Sequence, residues 1–211
     1  MHHVKPTADV EFAYRTFSKL PMLVSRSHIS VHDVLFPAFF SLDRYCRRKA
    51  DDPSALHLFG LVCERMQLYD LAVEVTSRAI KLLEAAYEEA EDPVIERRYA
   101  IANANLGRML LAKGGLESAI EVFETASGLL SEENTDQSTV ALRSLCHFGQ
   151  GIAFFHSGDL NKALSFFELA QDAASSNQLI RGQVTILLAK ALWKIGTDEF
   201  RELAKEQLLD W

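Results

Sequence analysis

The stretch that decides the fold is Ala100–Leu130, AIANANLGRMLLAKGGLESAIEVFETASGLL. Apolar residues recur at three- and four-residue spacing on both sides of Gly114-Gly115, which predicts two amphipathic helices joined by a tight turn. Gly107 stands in the middle of the first of these helices, where glycine costs roughly 1 kcal/mol relative to alanine. A residue that weakens its own helix needs a reason outside it.

The reason lies in a spacing that repeats. Leu56–Met66 (LHLFGLVCERM), Asn103–Lys113 (NANLGRMLLAK) and His147–Ser157 (HFGQGIAFFHS) align with a glycine in fifth place: Gly60, Gly107 and Gly151. Twelve residues on come Ala72, Ala119 and Ala163, and seven further Ala79, Ala126 and Ala170. Between the alanines stand Thr76, Phe123 and Phe167. A weaker fourth copy places Ala189 at the glycine position, but Arg201 falls where its first downstream alanine is expected. Self-similarity of this kind predicts stacked helix pairs. Two helices approach within about 8–10 Å where the residues at the crossing are small, so Gly107 is expected to face Ala119, with Phe123 filling the space beside them. Three such glycines cost about 3 kcal/mol, and one buried Phe or Leu returns roughly 1.5–3 kcal/mol. The glycine serves the neighbouring helix.

Turn chemistry agrees. Gly114-Gly115, Gly158 and Gly196 follow helix-period runs, as suits a left-handed residue just past a helix end. Asp159 and Thr197 are placed to cap the helices that follow. Upstream, TADVEFAYRTFSKL and SVHDVLFPAFFSLDRYCRRK predict two helices separated by a loop at Pro21 to Ser30, with Pro37 kinking or opening the second. Crowded Phe36, Phe39, Phe40 and Leu42 are expected to pack this leading pair on the first repeat.

Composition narrows the function. A net charge of −7 over 211 residues disfavours a phosphate-binding surface. Arg44–Lys49 is basic, and reads as a last helical turn whose cations complement the dipole. Cys46, Cys63 and Cys146 are odd in number and far apart, as expected of buried reduced thiols. There is no membrane-length apolar run and no signal-peptide pattern. Zinc needs three or four converging ligands; His28 and His32 straddle a loop, while His147 and His156 serve packing and a turn. No nucleophile elbow, phosphate loop or dinucleotide fingerprint is present. No catalytic residue, metal or cofactor is therefore assigned.

The pattern resembles the tetratricopeptide repeat, whose signature is a small residue on helix A and two alanines flanking an aromatic on helix B. The resemblance implies an all-α fold, an α-α superhelix of helix-turn-helix pairs. Residues 1–50 would form an irregular leading pair. Residues 51–211 would hold repeats at about 53–92, 94–135, 138–177 and 178–211 in one continuous solenoid. The repeats are longer than the usual 34 residues: Gly60 to Gly107 is 47, Gly107 to Gly151 is 44, and Gly151 to Ala189 is 38. The additions fall after helix B, as lengthened helices and polar loops, with Pro93 opening a new helix after the acidic run Glu88 to Asp92.

In such a repeat the packing set is Gly60, Ala72, Ala79, Gly107, Ala119, Phe123, Ala126, Gly151, Ala163, Phe167, Ala170 and Ala189. Helix A residues not spent on packing would line a concave face that either binds a partner or is filled by neighbouring repeats or the leading helices: Leu61, Arg108, Leu111, Phe148, Ile152, Phe155, Lys190 and Trp193, together with His57, Glu64, Ala104 and Ile186. Only Arg108 and Lys190 could grip a C-terminal carboxylate, so a chaperone clamp is not expected.

SALHLFGLVCERMQLYDLAVE and ERRYAIANANLGRMLLAKGGLESAIEVFETASGLL further resemble the tetratricopeptide scaffold family of the fungal Ski (superkiller) complex. That resemblance implies a non-catalytic segment of a much longer solenoid, an excerpt that Trp211 closes without a polar capping helix. It implies protein partners, an RNA helicase and a WD40 subunit, with no direct contact to nucleic acid or membrane. The setting would be cytoplasmic, with a possible nuclear pool, in exosome-linked 3′-5′ mRNA decay. An unrelated long-repeat adaptor for extended peptides, of the motor-cargo or polarity type, is the alternative.

Overall fold

The structure, a computed structural model, describes residues 8–26, 30–90, 92–131, 136–173 and 178–209. The described residues form eleven α-helices and no strand. The chain divides into two compact units, Met1–Ile95 and Glu96–Trp211.

The first unit holds α1 (Ala8–Ser18), α2 (Leu20–Arg26), α3 (Val31–Arg48), α4 (Pro53–Arg65) and α5 (Tyr69–Ala90). α1 and α4 pack on α3, and α5 packs on α4. The leading segment therefore differs from the expected pair. The expected loop at Pro21 to Ser30 begins as α2, because proline in a first helical turn forfeits only an N–H that has no partner there. Nor does Pro37 open the next helix. Ser30 caps α3, its hydroxyl oxygen accepting from the Asp33 amide at 3.2 Å, and the helix runs on through Pro37 to Arg48. Leu42 joins the interior and half-buried Phe39 meets Phe59 of α4 edge-on at 5.2 Å, whereas Phe36 and Phe40 stay exposed. His28 and Trp211 lie outside the described residues.

α4 starts from Asp52, whose Oδ1 accepts from the Ser54 and Ala55 amides at 3.0 Å, with Pro53 in the first position. Tyr45 of α3 donates its hydroxyl to the other Asp52 oxygen at 2.8 Å, so one carboxylate starts a helix and ties it to its neighbour. Between α4 and α5 the chain turns through Gln67 at φ 60°.

The second unit holds most of α6 (Pro93–Lys113), then α7 (Leu116–Gly128), α8 (Gln137–Ser157), α9 (Leu160–Ala173), α10 (Gln178–Ile195) and α11 (Asp198–Leu209). Pro93 opens α6 as expected, and Asp92 accepts from the Val94 amide at 2.8 Å. Asp136 starts α8 by accepting from the Ser138 and Thr139 amides. Arg97 of α6 reaches the same end through Ser138 and Thr139. Gly114, Gly158 and Gly196 turn at φ 85°, 90° and 85°, and Asp159 and Thr197 accept from the Lys162 and Phe200 amides.

The small residues lie where helices meet. A Cβ added at Gly107 would stand 2.8 Å from the Phe123 ring, and one at Gly151 2.5 Å from the Phe167 ring. At Gly60 it would stand 2.0 Å from the Thr76 hydroxyl. The nearest neighbour of the glycine is thus the residue four beyond the first alanine, not the alanine itself as the spacing suggested. Gly149, which the repeat alignment passed over, approaches Phe123 from α8, its added Cβ falling at 2.3 Å. Phe123 is held between α6 and α8, fully buried. Ala72, Ala79, Ala119, Ala126, Ala163, Ala170 and Ala189 are all buried. In the fourth pair Arg201 is exposed and Ala204 fills the buried place on α11 instead.

Candidate partner-binding faces

The helix A positions differ widely in how much surface they offer. Leu61, on α4 of the first unit, is half-buried. In the second unit Ala104 is buried in a cluster with Ala119, Phe123, Ala126 and Cys146, so it presents nothing to a partner. Arg108 is half-buried and donates to the Asn105 side chain at 3.0 Å. Leu111 is half-buried beside the same cluster.

Phe148, Ile152 and Phe155 follow at i, i+4 and i+7 on α8. They are half-buried and packed against a cluster that runs from Ala163 and Phe167 of α9 to Val184 and Leu188 of α10. Much of their apolar area is spent inside the unit. On α10 the same row is open: Ile186 is 44% exposed, Trp193 56%, and Lys190 is exposed. Lys194, which the repeat positions did not mark, lies 4.9 Å over the Phe155 ring and joins the α8 and α10 rows. Its spacing of four from Lys190 was the available signal. Arg201 lies 5.9 Å from the Trp193 ring and pairs with Asp198 at 3.5 Å.

In the first unit the basic run of α3 is paired. Arg44 and Arg48 meet Asp9 of α1 at 2.6 and 2.9 Å, and Arg47 meets Asp43. The Arg44 guanidinium holds the Asp9 carboxyl below its usual range. The basic run thus anchors α1 to α3. Burial pushes the Cys46 thiol up to about 11, and those of Cys63 and Cys146 to about 12, so none is a thiolate nucleophile near neutrality. Burial lowers the His147 pKa below its ordinary value, against a weak contact with Gln150 at 3.4 Å. Among the described residues no three His, Cys, Asp or Glu converge on a point. No described helix is long and apolar enough to cross a membrane. The helix A positions offer apolar rows, with cations beside the last of them.

Paired helices with a small residue on the first and an alanine-framed side chain on the second recur through both units. A solved Podosopora anserina putative kinesin light chain with TPR-like repeats superposes with a TM-score of 0.66, at 17% identity, over 95% of this chain and 90% of that one. The fold is that of the tetratricopeptide repeat. No protein-family model matches the chain. Over 205 residues it is 29% identical to superkiller protein 3 of Schizosaccharomyces pombe, a match covering 96% of this chain and 14% of that protein. To superkiller protein 3 of Saccharomyces cerevisiae it is 27% identical over 184 residues, 87% of this chain and 12% of that protein. The chain therefore spans only 12–14% of the length of these relatives.

Proposed function

We propose that this chain is a non-catalytic scaffold segment of the Ski complex. In this reading it helps hold an RNA helicase and a WD40 subunit together for cytoplasmic, exosome-linked 3′-5′ mRNA decay. The observation that carries the reading is similarity to superkiller protein 3 along 96% of the chain, which extends beyond the repeat signature into the irregular leading helices. The fold supports it too, since stacked helix pairs present extended surfaces that grow with repeat number. The contact surface in this reading is the helix A face of the second unit: Arg108 and Leu111, then Phe148, Ile152 and Phe155, then Lys190 and Trp193. Leu61 is the corresponding position of the first unit. RNA stays with the helicase, in keeping with a net charge of −7.

The test is affinity purification of the full-length protein from fungal cells, wild type against Lys190→Glu with Trp193→Glu, two exposed positions whose replacement leaves the core intact. Recovery of a helicase and a WD40 protein supports the assignment, and loss of either from the variant supports the face. Recovery of motor or polarity proteins in their place overturns the reading in favour of a peptide adaptor.

A further inference from the structure

A second surface lies in the first unit, away from the helix A positions. Phe36, Phe40, Asp43 and Arg47 fall at three–four spacing on one face of α3. Phe36 and Phe40 are 44% and 61% exposed, with their rings stacked at 6.0 Å. Two exposed aromatics in contact on one helix form a patch rather than scattered surface residues. The stripe leads into a groove of about 300 Å³. Asp43, Arg47 and Ala50 form one wall, and Leu71, Glu74 and Arg78 of α5 the other. Its floor is Cys46, Phe59 and Val75, all buried.

We infer that this groove and the Phe36–Phe40 pair together receive one amphipathic α-helix of another protein. Three observations select that occupant. Both walls are helices whose backbone groups are already bonded within themselves, so the groove offers no open edge for strand addition, whereas a helix brings its own amides satisfied. From Phe36 to Arg48 the surface of α3 runs about 18 Å, the length of a helix of about 12 residues. Finally, the wall charges are unequally engaged. Asp43 and Arg47 close on each other at 2.9 and 3.0 Å, while Glu74 and Arg78, four apart on one face of α5, form no ion pair among the described residues. A docking helix with a basic and an acidic residue four apart complements them, and bulky apolar residues one turn away cover Phe36 and Phe40.

The experiment pans the whole 211-residue chain against a display library of random peptides of about 16 residues, long enough for four helical turns, and measures selected peptides by fluorescence anisotropy. Selected sequences should share apolar residues at i and i+4 with a basic–acidic pair. Their affinity should fall at least about tenfold on Phe40→Glu, a substitution at an exposed site whose folding is checked by circular dichroism. Arg78→Glu should weaken binding, and changing the peptide's acid to lysine should restore it. Peptides that bind wild type and Phe40→Glu equally, selection of extended proline- and glycine-rich sequences, or no selected sequence at all overturns the proposal. So does a dimer of this chain that Phe40→Glu dissolves, which would give the patch to a second copy. None of these outcomes depends on recovery of the helicase or WD40 protein.

Discussion

Gln67 shows how much one backbone angle can matter. Four turns follow the small residue of helix A by seven positions: Gln67 after Gly60, Gly114 after Gly107, Gly158 after Gly151 and Gly196 after Ala189. All four are left-handed, at φ 60°, 85°, 90° and 85°. Three are glycine, which adopts that region freely, and one carries a Cβ that opposes it by about 1 kcal/mol. Gln67→Gly should therefore raise stability by about 0.5–1 kcal/mol, read as a higher urea midpoint at unchanged slope. Gly158→Ala should lower it by a similar amount. At Gly149 two terms oppose each other. Alanine gains about 1 kcal/mol in helix propensity, but its methyl would stand 2.3 Å from the Phe123 ring, and overpacking of that kind costs typically 1–3 kcal/mol. The clash wins, so Gly149→Ala should destabilise. Combined with Phe123→Leu it should cost less than the sum of the two singles, and simple additivity would remove the ring from the explanation.

At the scale of elements, the Asp52 cap joins two helices, so its loss should exceed that of an isolated cap. Asp52→Ala is expected to cost about 2 kcal/mol, the upper end for caps, because Tyr45 loses its acceptor as well. The same contact has a pH signature. Burial first, and then its hydrogen bond to Asp52, push the Tyr45 phenol up to about 12, against about 10 when unfolded. A raised folded pKa means the stabilisation is complete below about pH 10 and is lost as pH rises towards 12. The three buried thiols act in the same direction from about pH 8.5 upward. Stability should fall through that window, and Tyr45→Phe should lessen the fall above pH 10, measured as thermal midpoint against pH. These elements were unevenly legible. The pairs from Pro53 onward were plain in the sequence because glycine, alanine and turn residues recur at fixed offsets. The leading helices were not, because Pro21 and Pro37 read as boundaries. One costs nothing in a first turn, and the other is carried by an α3 already started from Ser30. Arg201 signalled correctly that the fourth pair departs from the pattern, but only packing shows that Ala204 replaces it in the core. On the site, the spacing located the helix A rows. It could not reveal that α9 and α10 already use the faces of Phe148, Ile152 and Phe155, since that depends on contacts distant in sequence.

At the scale of the whole molecule, stacked pairs make stability a sum of local terms. Within the second unit α7 packs on α8, α8 on α9, and α9 and α11 on α10, so each helix leans mainly on those next to it. The ring of Phe123 is a sharp probe of this, since its partners are Gly107 on α6 and Gly149 on α8, all within the second unit. Phe123→Leu removes part of a fully buried ring, a loss of roughly 1–2 kcal/mol set against about 3–5 for truncation to alanine. In a quasi-one-dimensional array that loss lowers the opening free energy of the pairs around it. Native-state hydrogen exchange should then quicken about tenfold, the ratio for 1.4 kcal/mol, at the slow amides of α6, α7 and α8. Amides of α4 and α5 should keep their wild-type rates. Equal acceleration in both units would mean that the chain opens as one body, and the local account of how its repeats hold together would fail with it.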